Sequence, residues 1–303
     1  MNRYDLVVLG DVNMDYAVAH NLSFPLSSLV QNGLIYWEDI NEIPGGSGLN
    51  ICSFAAKEGY RCLLLGKTGN DTAGLAITNW LNTCQIDIPH SWTSAAPTGK
   101  ALIFRDSMDI RLLINNKNNA NHMLSINDIE DNKDSLISCR VVYVSGYCIS
   151  EPKTLRYKAA LQAMIQAKSS SYSPVIVFDV VPHRIYEKFS FEEFRSCTQQ
   201  VDILISEVAT MRRFLGLGSK DEIISDTMAA DTAKRLSQYF PRLVLRFGPS
   251  GCDEEILVDE VTGNFEHKET GHSQVTDKRG YGDWLALQSL INFFHILPLM
   301  PIQ

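Results

Sequence analysis

The chain has 303 residues, of which 45% are hydrophobic and 20% are charged, and this balance is typical of a globular protein and excludes a largely disordered one. Its 27 basic and 35 acidic residues give a formal net charge of −8, which disfavours non-specific binding to nucleic acid because such binding needs a basic surface. The 7 cysteines are odd in number, scattered and without a C-x-x-C pair, so they predict neither a disulfide framework nor a structural zinc site.

The two ends of the chain carry no signal for export or for a membrane. The polar residues Met1 to Asp5 lead directly into an apolar run, so we expect no signal peptide. Near the other end, residues 284–302 are rather apolar, but polar residues and prolines interrupt them, which predicts a buried helix and tail rather than a membrane span. We therefore expect a cytoplasmic protein whose partners include neither nucleic acid nor a membrane.

Short apolar runs, each bounded by turn residues, recur along the chain and predict strands that are covered on both faces. They fall at residues 6–9, 62–65, 141–144, 175–178, 203–205 and 243–245. Apolar residues at helical spacing lie between several of these runs, at residues 50–58, 73–82, 154–168 and 229–239. Alternating strands and helices predict an α/β fold built on a mostly parallel sheet with right-handed crossovers.

Two stretches, about 15–43 and 99–114, interrupt this alternation. In the second, residues 101–105 and 111–114 have the pattern of a hairpin. We expect both stretches to form a small accessory sheet that acts as a lid over the main sheet. Since no shift in composition marks a long linker, residues 1–303 are predicted to form one α/β domain that carries this lid.

A glycine-rich segment near the end of the chain, Asp277-Lys278-Arg279-Gly280-Tyr281-Gly282-Asp283, precedes an apolar helical pattern. Two glycines at a helix start let backbone N–H groups converge on an anion, and the helix dipole adds partial positive charge there. A carboxylate directly after such a site has a chemical use, because Asp283 can accept the proton of a hydroxyl that attacks a phosphate. The alternative is structural, with the glycines in a turn and Asp283 as a helix cap.

Two further glycine segments are candidates for ligand binding. Gly45-Gly46-Ser47-Gly48-Leu49-Asn50 opens a helix, and its glycines permit a ligand to approach the backbone. It is neither a Walker A loop nor a good dinucleotide fingerprint, because the following residues and the glycine spacing differ. Gly10-Asp11-Val12-Asn13-Met14-Asp15 follows the first strand, where open parallel sheets bind ligands. Asn13 and Asp15 suit vicinal hydroxyl groups, although such residues also form Asx turns.

Residues 66–74 and 246–251 are glycine-rich connections that also follow predicted strands. In the first connection, Asp71 or Thr72 is interpreted as a helix N-cap rather than as a chemical group. The second contains Arg246, Gly248 and Gly251, which fit either a turn or a second place where backbone donors meet phosphate.

Taken together, these segments resemble the ribokinase-like (PfkB) carbohydrate kinase family in their order and spacing. The matching segments are 10–15 (G-x-x-x-x-D), 45–50 (G-G-x-x-x-N), 66–74 (G-x-x-G-x-D-x-x-G), 98–121 (a lid hairpin and a G-A-N-like turn), 178–182 (D-x-N-x-R/P), 246–251 (a glycine turn) and 277–283 (D-T-x-G-A-G-D). The resemblance extends from about residue 6 to residue 283 and implies a doubly wound α/β domain with a small β lid.

The resemblance also implies roles for particular residues. Asp283 is the expected catalytic base, and the backbone N–H groups of Gly280, Tyr281 and Gly282 are the expected anion hole for the transferred phosphoryl group. The expected substrate-binding residues are Asn13, Asp15, Gly45, Gly46 and Asn50, and the expected nucleotide-binding residues are Arg246, Gly248, Gly251, Asp277 and Lys278. ATP and Mg²⁺ are the implied cofactors, with Mg²⁺ bridging the phosphates mostly through water, and K⁺ is an additional candidate.

The sequence departs from the family pattern at several positions. Tyr281 stands where the family usually has alanine, and Lys278 and Arg279 stand where it has two threonines. The usual N-x-x-E after the strand at 203–205 reads Ser206-Glu207-Val208-Ala209, so Glu207 is the candidate metal carboxylate, out of step with the family position. The chain also ends sooner after Asp283 than is usual in the family, in which further helices help to form the adenine pocket. The departure therefore concerns how the nucleotide is chosen.

The leading hypothesis is transfer of a phosphoryl group from ATP to a hydroxyl of a sugar or a related small molecule. Two alternatives remain open: a nucleoside kinase of the same fold, and a non-catalytic member that binds a sugar or a partner. The departures at residues 206, 209 and 281 motivate the non-catalytic alternative, whereas Asp283 favours an enzyme. A dinucleotide-dependent dehydrogenase has little support. Because lid strands often pair between subunits in this family, we also predict a homodimer through the lid.

Overall fold

The computed structural model describes residues 4–18, 40–89, 92–105, 111–181, 184–219, 222–271 and 280–298. Its strands are β1 (Leu6–Leu9), β2 (Asn13–Val18), β3 (Ile40–Gly45), β4 (Cys62–Leu65), β5 (Thr68–Gly69), β6 (Thr93–Ser94), β7 (Gly99–Arg105), β8 (Arg111–Asn115), β9 (Val141–Ser145), β10 (Val175–Asp179), β11 (Ile203–Glu207), β12 (Arg242–Phe247), β13 (Glu254–Asp259) and β14 (Asn264–Glu269). Its helices are α1 (Ser47–Lys57), α2 (Thr72–Thr83), α3 (Ile126–Asp131), α4 (Lys133–Ser138), α5 (Leu155–Ser169), α6 (Phe191–Cys197), α7 (Val208–Phe214), α8 (Asp226–Leu236) and α9 (Tyr281–Asn292).

The main sheet has 8 strands in the order β14-β13-β12-β11-β10-β9-β1-β4. Neighbouring strands from β12 to β4 are parallel, whereas β13 and β14 continue the sheet as antiparallel strands at one edge. Each of the predicted strands and helices is present, with ends that differ by a few residues. The prediction of an α/β fold on a mostly parallel sheet is confirmed.

Alternate residues of the central strands pack on opposite faces of this sheet, as a strand's period of two requires. Leu6 and Val8 of β1 belong to an apolar cluster with residues of α1, α2 and α9, whereas Val7 and Leu9 belong to a second cluster with residues of α3 to α8. Since both faces are covered, the strands are apolar along their whole length, which explains the continuous apolar runs in the sequence.

The helices differ in how their first turns are capped. A side chain caps the first turn of several helices that pack around the sheet; the capping residues are Asp71 for α2, Thr154 for α5, Ser190 for α6 and Ser225 for α8. By contrast, α1 and α9 begin at glycines with positive φ, Gly46 at 97° and Gly280 at 65°, which have no side chain for this purpose. The N-terminal turns of these two helices are therefore left without a side-chain cap.

A second sheet has 4 strands in the order β3-β2-β7-β8. β2 pairs antiparallel with β3 and parallel with β7, and β7 and β8 form an antiparallel hairpin. These strands come from the two stretches in which the lid was predicted, of which residues 19–39 and 106–110 lie outside the described residues. The covering function of this sheet stays a prediction.

The apolar segment that was predicted to form a buried helix begins as α9. Its residues Leu285, Leu287 and Leu290 are at most 5% exposed, and the helix packs beside α1. Within the described ranges, the helices lack the combination of length and apolar character that crossing a bilayer requires.

Candidate active site

A cavity of about 660 Å³ lies at the carboxyl ends of the parallel strands and is lined by both sheets and by the starts of α1 and α9. Asp179, Glu207 and Arg246 reach it from the ends of β10, β11 and β12. Asp11 reaches it from the loop after β1. Ligands of open α/β sheets bind at this edge, so the fold places these side chains where a ligand would meet them.

Asp283 lines the cavity from the first turn of α9. Its Oδ2 atom accepts a hydrogen bond of 2.9 Å from the Nδ2 atom of Asn50 in α1. The bond joins two residues that are 233 positions apart. Asn50 was predicted to hold the substrate, and the structure gives it a second task, because its amide fixes the direction of the Asp283 carboxylate.

The start of α9 is open toward the cavity. Gly280 occupies the N-cap position in the left-handed region, which glycine adopts without strain, and both Gly280 and Gly282 line the cavity. The first N–H groups of a helix lack intrahelical partners and carry its positive dipole end. This turn has the chemical character of an anion site.

The side chain of Tyr281, in the first turn of α9, is held by two contacts. Its hydroxyl donates to the carbonyl oxygen of Thr270 at 2.6 Å, and its ring stacks on Trp284 with centroids 5.4 Å apart. Burial raises the pKa of Tyr281, so the hydroxyl stays a neutral donor. The bulky residue that departs from the family pattern is therefore anchored by its own neighbours.

Asn13 and Asp15 of β2 line the cavity from the second sheet. Asn121 holds this segment, since its Nδ2 atom donates to Asn13 Oδ1 at 2.9 Å and its Oδ1 atom accepts from the N–H of Val12 at 2.9 Å. Asp15 stands so close to Gly45 that a Cβ atom there would lie 2.1 Å from Asp15 Oδ2. Gly45 thus makes room for Asp15, and it does not itself line the cavity as Gly46 does.

Arg246 is the buried cation of the site. Its side chain is 7% exposed, and its Nε atom donates at 2.9 Å to Oε1 of Glu255, which lies opposite it on β13 and is 1% exposed. Burial acts to lower the pKa of Arg246, but Glu255 and Asp179 outweigh it and raise the pKa. The guanidinium therefore stays protonated, and Arg246 contributes a fixed positive charge to the cavity wall.

Asp179, which also lines the cavity, forms a second buried contact. The hydroxyl of Tyr143 donates to Asp179 Oδ2 at 2.6 Å. Burial raises the pKa of Tyr143 well above its ordinary value, and the negative charges of Asp179 and Asp283 raise it further. Tyr143 therefore remains a neutral hydrogen-bond donor, which fixes the position of Asp179 at the end of β10.

The remaining predicted residues lie after β11 and β12 or outside the described residues. Glu207 and Ser206 line the cavity, and Gly248 and Gly251 shape the turn after β12, which presents Pro249, Ser250 and Cys252 to it. Burial raises the pKa of Cys252 to about 11. Asp277 and Lys278 lie outside the described residues.

Carboxylates outnumber cations in the cavity wall. The acidic lining residues are Asp11, Asp15, Asp179, Glu207 and Asp283, and the basic ones are Lys57 and Arg246. Among the residues that the structure describes, one group of three metal-type ligands has its ligand atoms within 4.8 Å of one another, and it consists of Asp226, Glu254 and His267, away from the residues of this wall. An anionic ligand in this cavity needs the helix start, the fixed cation and added positive charge.

Sequence reasoning missed three contributors to the site: Asn121, Tyr143 and Glu255. Asn121 was part of the G-A-N-like turn, but the turn gave no sign that its amide holds Asn13. Tyr143 and Glu255 lie in strands whose apolar patterns conceal them. A charged residue in a buried strand is a usable signal for Glu255, because such a group needs a partner.

Comparisons with known proteins identify the family of the chain. A model of the pfkB family carbohydrate kinases matches residues 4–253. The 5-dehydro-2-deoxygluconokinase of Clostridium perfringens (strain 13 / Type A) is 24% identical over 262 residues, with 82% of this chain and 70% of that protein covered.

Solved structures of sugar and nucleoside kinases share the fold. The adenosine kinase from Sinorhizobium meliloti superposes with a TM-score of 0.77 at 18% identity, covering 98% of this chain and 90% of that chain. The ribokinase from Giardia lamblia gives 0.74 at 20% identity, covering 94% and 81%. A protein from E. coli in complex with ATP and Mg²⁺ gives 0.72 at 16% identity, covering 97% and 89%.

The family match extends over most of the chain. It confirms the resemblance drawn from the glycine motifs, and with it the predicted enzyme class, a phosphotransferase that acts on an alcohol group. The chain belongs to the pfkB family of carbohydrate kinases.

Proposed function

We propose that this kinase transfers the γ-phosphoryl group of ATP to a hydroxyl of a sugar or a related small molecule, with Asp283 as the general base. The observation that carries the proposal is the position of Asp283. Its carboxylate lies in the cavity wall at the start of α9, held by Asn50, between the polar acceptor side and the buried Arg246.

Asn13, Asp15, Asn50 and Gly46 bind the acceptor on one side of the cavity. The carboxylate of Asp283 accepts the proton of the attacking hydroxyl, which is the task of a general base. The hydroxyl oxygen then bonds to the γ-phosphorus, and the bond from that phosphorus to the β-phosphate oxygen breaks. The proton ends on Asp283 and the negative charge on ADP.

The nucleotide side fits a polyphosphate. The start of α9 offers backbone donors, and Arg246 Nη2 is a buried polar atom without a hydrogen-bond partner in the described structure. Bound ATP and Mg²⁺ supply the phosphoryl group and the positive charge that balances its oxygens. Arg246 and the turn at Gly248 and Gly251 are proposed nucleotide contacts, as are Asp277 and Lys278 outside the described residues. Glu207 is the proposed carboxylate for the hydrated metal. K⁺ is a candidate activator.

The second sheet supplies the upper wall of the cavity. Ala101, Ile103 and Leu113 line the cavity, whereas Leu102 and Ile114 on the other face of the hairpin are 43% and 48% exposed. The inner face excludes water from the acceptor, so that the acceptor rather than water receives the phosphoryl group. The exposed outer face supports the homodimer through the lid.

An ATP-consumption screen with Mg²⁺ and K⁺ tests the function against sugars, sugar phosphates, keto acids and nucleosides. We expect turnover that depends on one acceptor class and is lost in Asp283→Asn. Turnover with nucleosides alone would favour the nucleoside kinase alternative. A folded protein that binds a sugar but neither binds nor consumes ATP would overturn the proposal in favour of a non-catalytic binding protein.

Sedimentation of the protein tests the dimer separately. Leu102→Glu places a charge on the exposed outer face of the second sheet and should convert a dimer into a monomer. Leu75→Glu is the matched control, since Leu75 is also a largely exposed leucine, at 62%, but belongs to α2. A wild-type monomer at micromolar concentration would contradict the dimer.

A further inference from the structure

The buried ion pair of Arg246 and Glu255 leaves some of its hydrogen-bonding atoms unused within the described protein. Arg246 Nε donates to Glu255 Oε1 at 2.9 Å, while Arg246 Nη2 and Glu255 Oε2 are both buried without a hydrogen-bond partner in the part of the chain that the structure describes. A buried charged donor without a partner costs more free energy than almost any other polar group. Lys268 Nζ lies 3.9 Å from Glu255 Oε2, so it is the unused N–H capacity of Arg246 that points to a ligand with acceptor oxygens.

The position of Arg246 identifies the chemistry of that ligand. The guanidinium lies directly beneath the start of α9, since a Cβ atom built on Gly282 would be 3.3 Å from Arg246 Nη1. The side chain lines the same cavity as Asp283. A cation and a helix start that meet at one point favour an anion with several oxygens, and a guanidinium is geometrically matched to phosphate.

Resting on the proposed function, we propose that Arg246 is a catalytic residue that donates to an oxygen of the transferred phosphoryl group, so that the anion hole is a backbone nest with a fixed arginine under it. Glu255 is then a positioning residue, because its bond to Nε sets the plane of the guanidinium. Asp179, Glu207 and Asp283 line the same cavity. Arg246 offsets the repulsion that these carboxylates exert on a phosphoryl group.

A contact of Arg246 with the transferred phosphoryl group differs measurably from a contact with the rest of the nucleotide. A residue that touches the transferred phosphoryl group distinguishes ATP from ADP, whereas one that touches the rest of the nucleotide does not. It also acts on the charge that develops during transfer, so its loss lowers kcat more than it raises the acceptor KM.

The test uses a double variant, because removing one partner of a buried ion pair leaves an unpaired charge and threatens folding. Arg246→Leu/Glu255→Leu replaces both partners, which face each other across β12 and β13. The matched control is Arg242→Leu/Asp259→Asn at the other end of the same strands, where an arginine and a carboxylate are 3.1 Å apart and do not line the cavity. The asparagine keeps an oxygen for the N–H of Val261, which Asp259 accepts at 3.0 Å.

Calorimetry measures the Kd of ATP and of ADP for each protein, with and without Mg²⁺. We expect the Arg246 double variant to bind ATP at least about tenfold more weakly and ADP within about threefold of wild type, and to lose about 10² to 10³ in kcat. The control should match wild type. Arg246→Lys, which keeps a charge without the planar fork, should lie between the two.

Equal weakening of ATP and ADP would overturn the assignment to the transferred group, and unchanged binding and kcat would overturn any phosphate contact. A wild-type protein that binds neither nucleotide would overturn it as well. The proposed function fails separately, through the absence of acceptor-dependent turnover in wild type. Normal turnover in both wild type and the Arg246 double variant would refute this inference alone.

Discussion

Asp71 and Asp283 are two aspartates in glycine-rich segments at the starts of helices, and the structure gives them opposite surroundings. Asp71 accepts from the N–H of Gly74 at 2.9 Å, from the N–H of Thr98 at 2.9 Å and from the Thr98 hydroxyl at 2.5 Å. Asp283 accepts from Asn50 on another helix and lines the cavity. The interpretation of Asp71 as an N-cap is confirmed.

The difference lies in where each carboxylate finds its donors. Asp71 is the N-cap residue, so its side chain turns back onto the first turn of its own helix and ties that turn to the segment before β7. Asp283 stands inside α9, after the cap position that Gly280 fills. Its Oδ2 atom accepts from Asn50 of α1, and the residue lines the cavity. The two aspartates thus differ in position relative to the cap and in the element that supplies a donor.

The largest effect is expected for catalysis at Asp283. Asp283→Asn keeps the size of the side chain but removes the proton acceptor, so kcat should fall by about 10² to 10⁴. Asp71→Asn is the control and should keep kcat within about threefold, measured per folded protein. Near-normal turnover of Asp283→Asn would show that the two aspartates do not differ in this way.

For stability, we expect a larger effect at Asp71 than at Asp283. Asp71→Ala removes a cap and leaves the N–H groups of Gly74 and Thr98 without their acceptor, which should lower the free energy of unfolding by about 1 to 3 kcal/mol. Asp283→Ala should change it by less than about 1 kcal/mol. Urea unfolding at neutral pH measures both. A larger loss at Asp283 would mean that it, too, is mainly a structural group.

A smaller effect is expected for the residue that orients Asp283. Asn50→Leu removes the amide bond to Asp283 Oδ2 and a proposed acceptor contact. We expect kcat to fall about tenfold, which corresponds to about 1.4 kcal/mol, together with a raised acceptor KM. Asn82→Leu, at an exposed asparagine of α2, is the control. A change confined to KM would assign Asn50 to substrate binding without a part in orienting the base.

The smallest effect concerns acid stability. Burial acts to raise the pKa of Asp71, but the donors from Thr98 and Gly74 outweigh it, and the folded-state pKa lies below its ordinary value. A lowered folded-state pKa means that the stabilisation is present above the unfolded-state value of about 3.9 and is lost as the pH falls through the folded-state pKa. Wild type should therefore lose stability between about pH 5 and about pH 2 more steeply than Asp71→Asn in urea unfolding. Parallel pH profiles would contradict the shift.

The sequence alone was sufficient for features that are contiguous along the chain. Apolar runs predicted the strands because both sheet faces are buried, and the glycine segments predicted which loops surround the cavity. Contacts across the sheet were not predictable. The bond between Asn50 and Asp283 depends on the packing of α1 on α9. The contact of Tyr143 with Asp179 depends on the pairing of β9 with β10, and that of Arg246 with Glu255 on the register of β12 and β13. No local pattern encodes these.

The docking of α9 on α1 has a consequence for how the protein is made. Along the chain, α9 comes after all the strands of both sheets that the structure describes. During synthesis, N-terminal parts of a chain are made and begin to fold first. A nascent chain that has emerged through β14 contains the strands of the described sheets but not yet Asp283. Under the proposed mechanism, phosphoryl transfer needs α9 to pack against α1, so we expect a nascent chain that has not yet added α9 to leave ATP unconsumed.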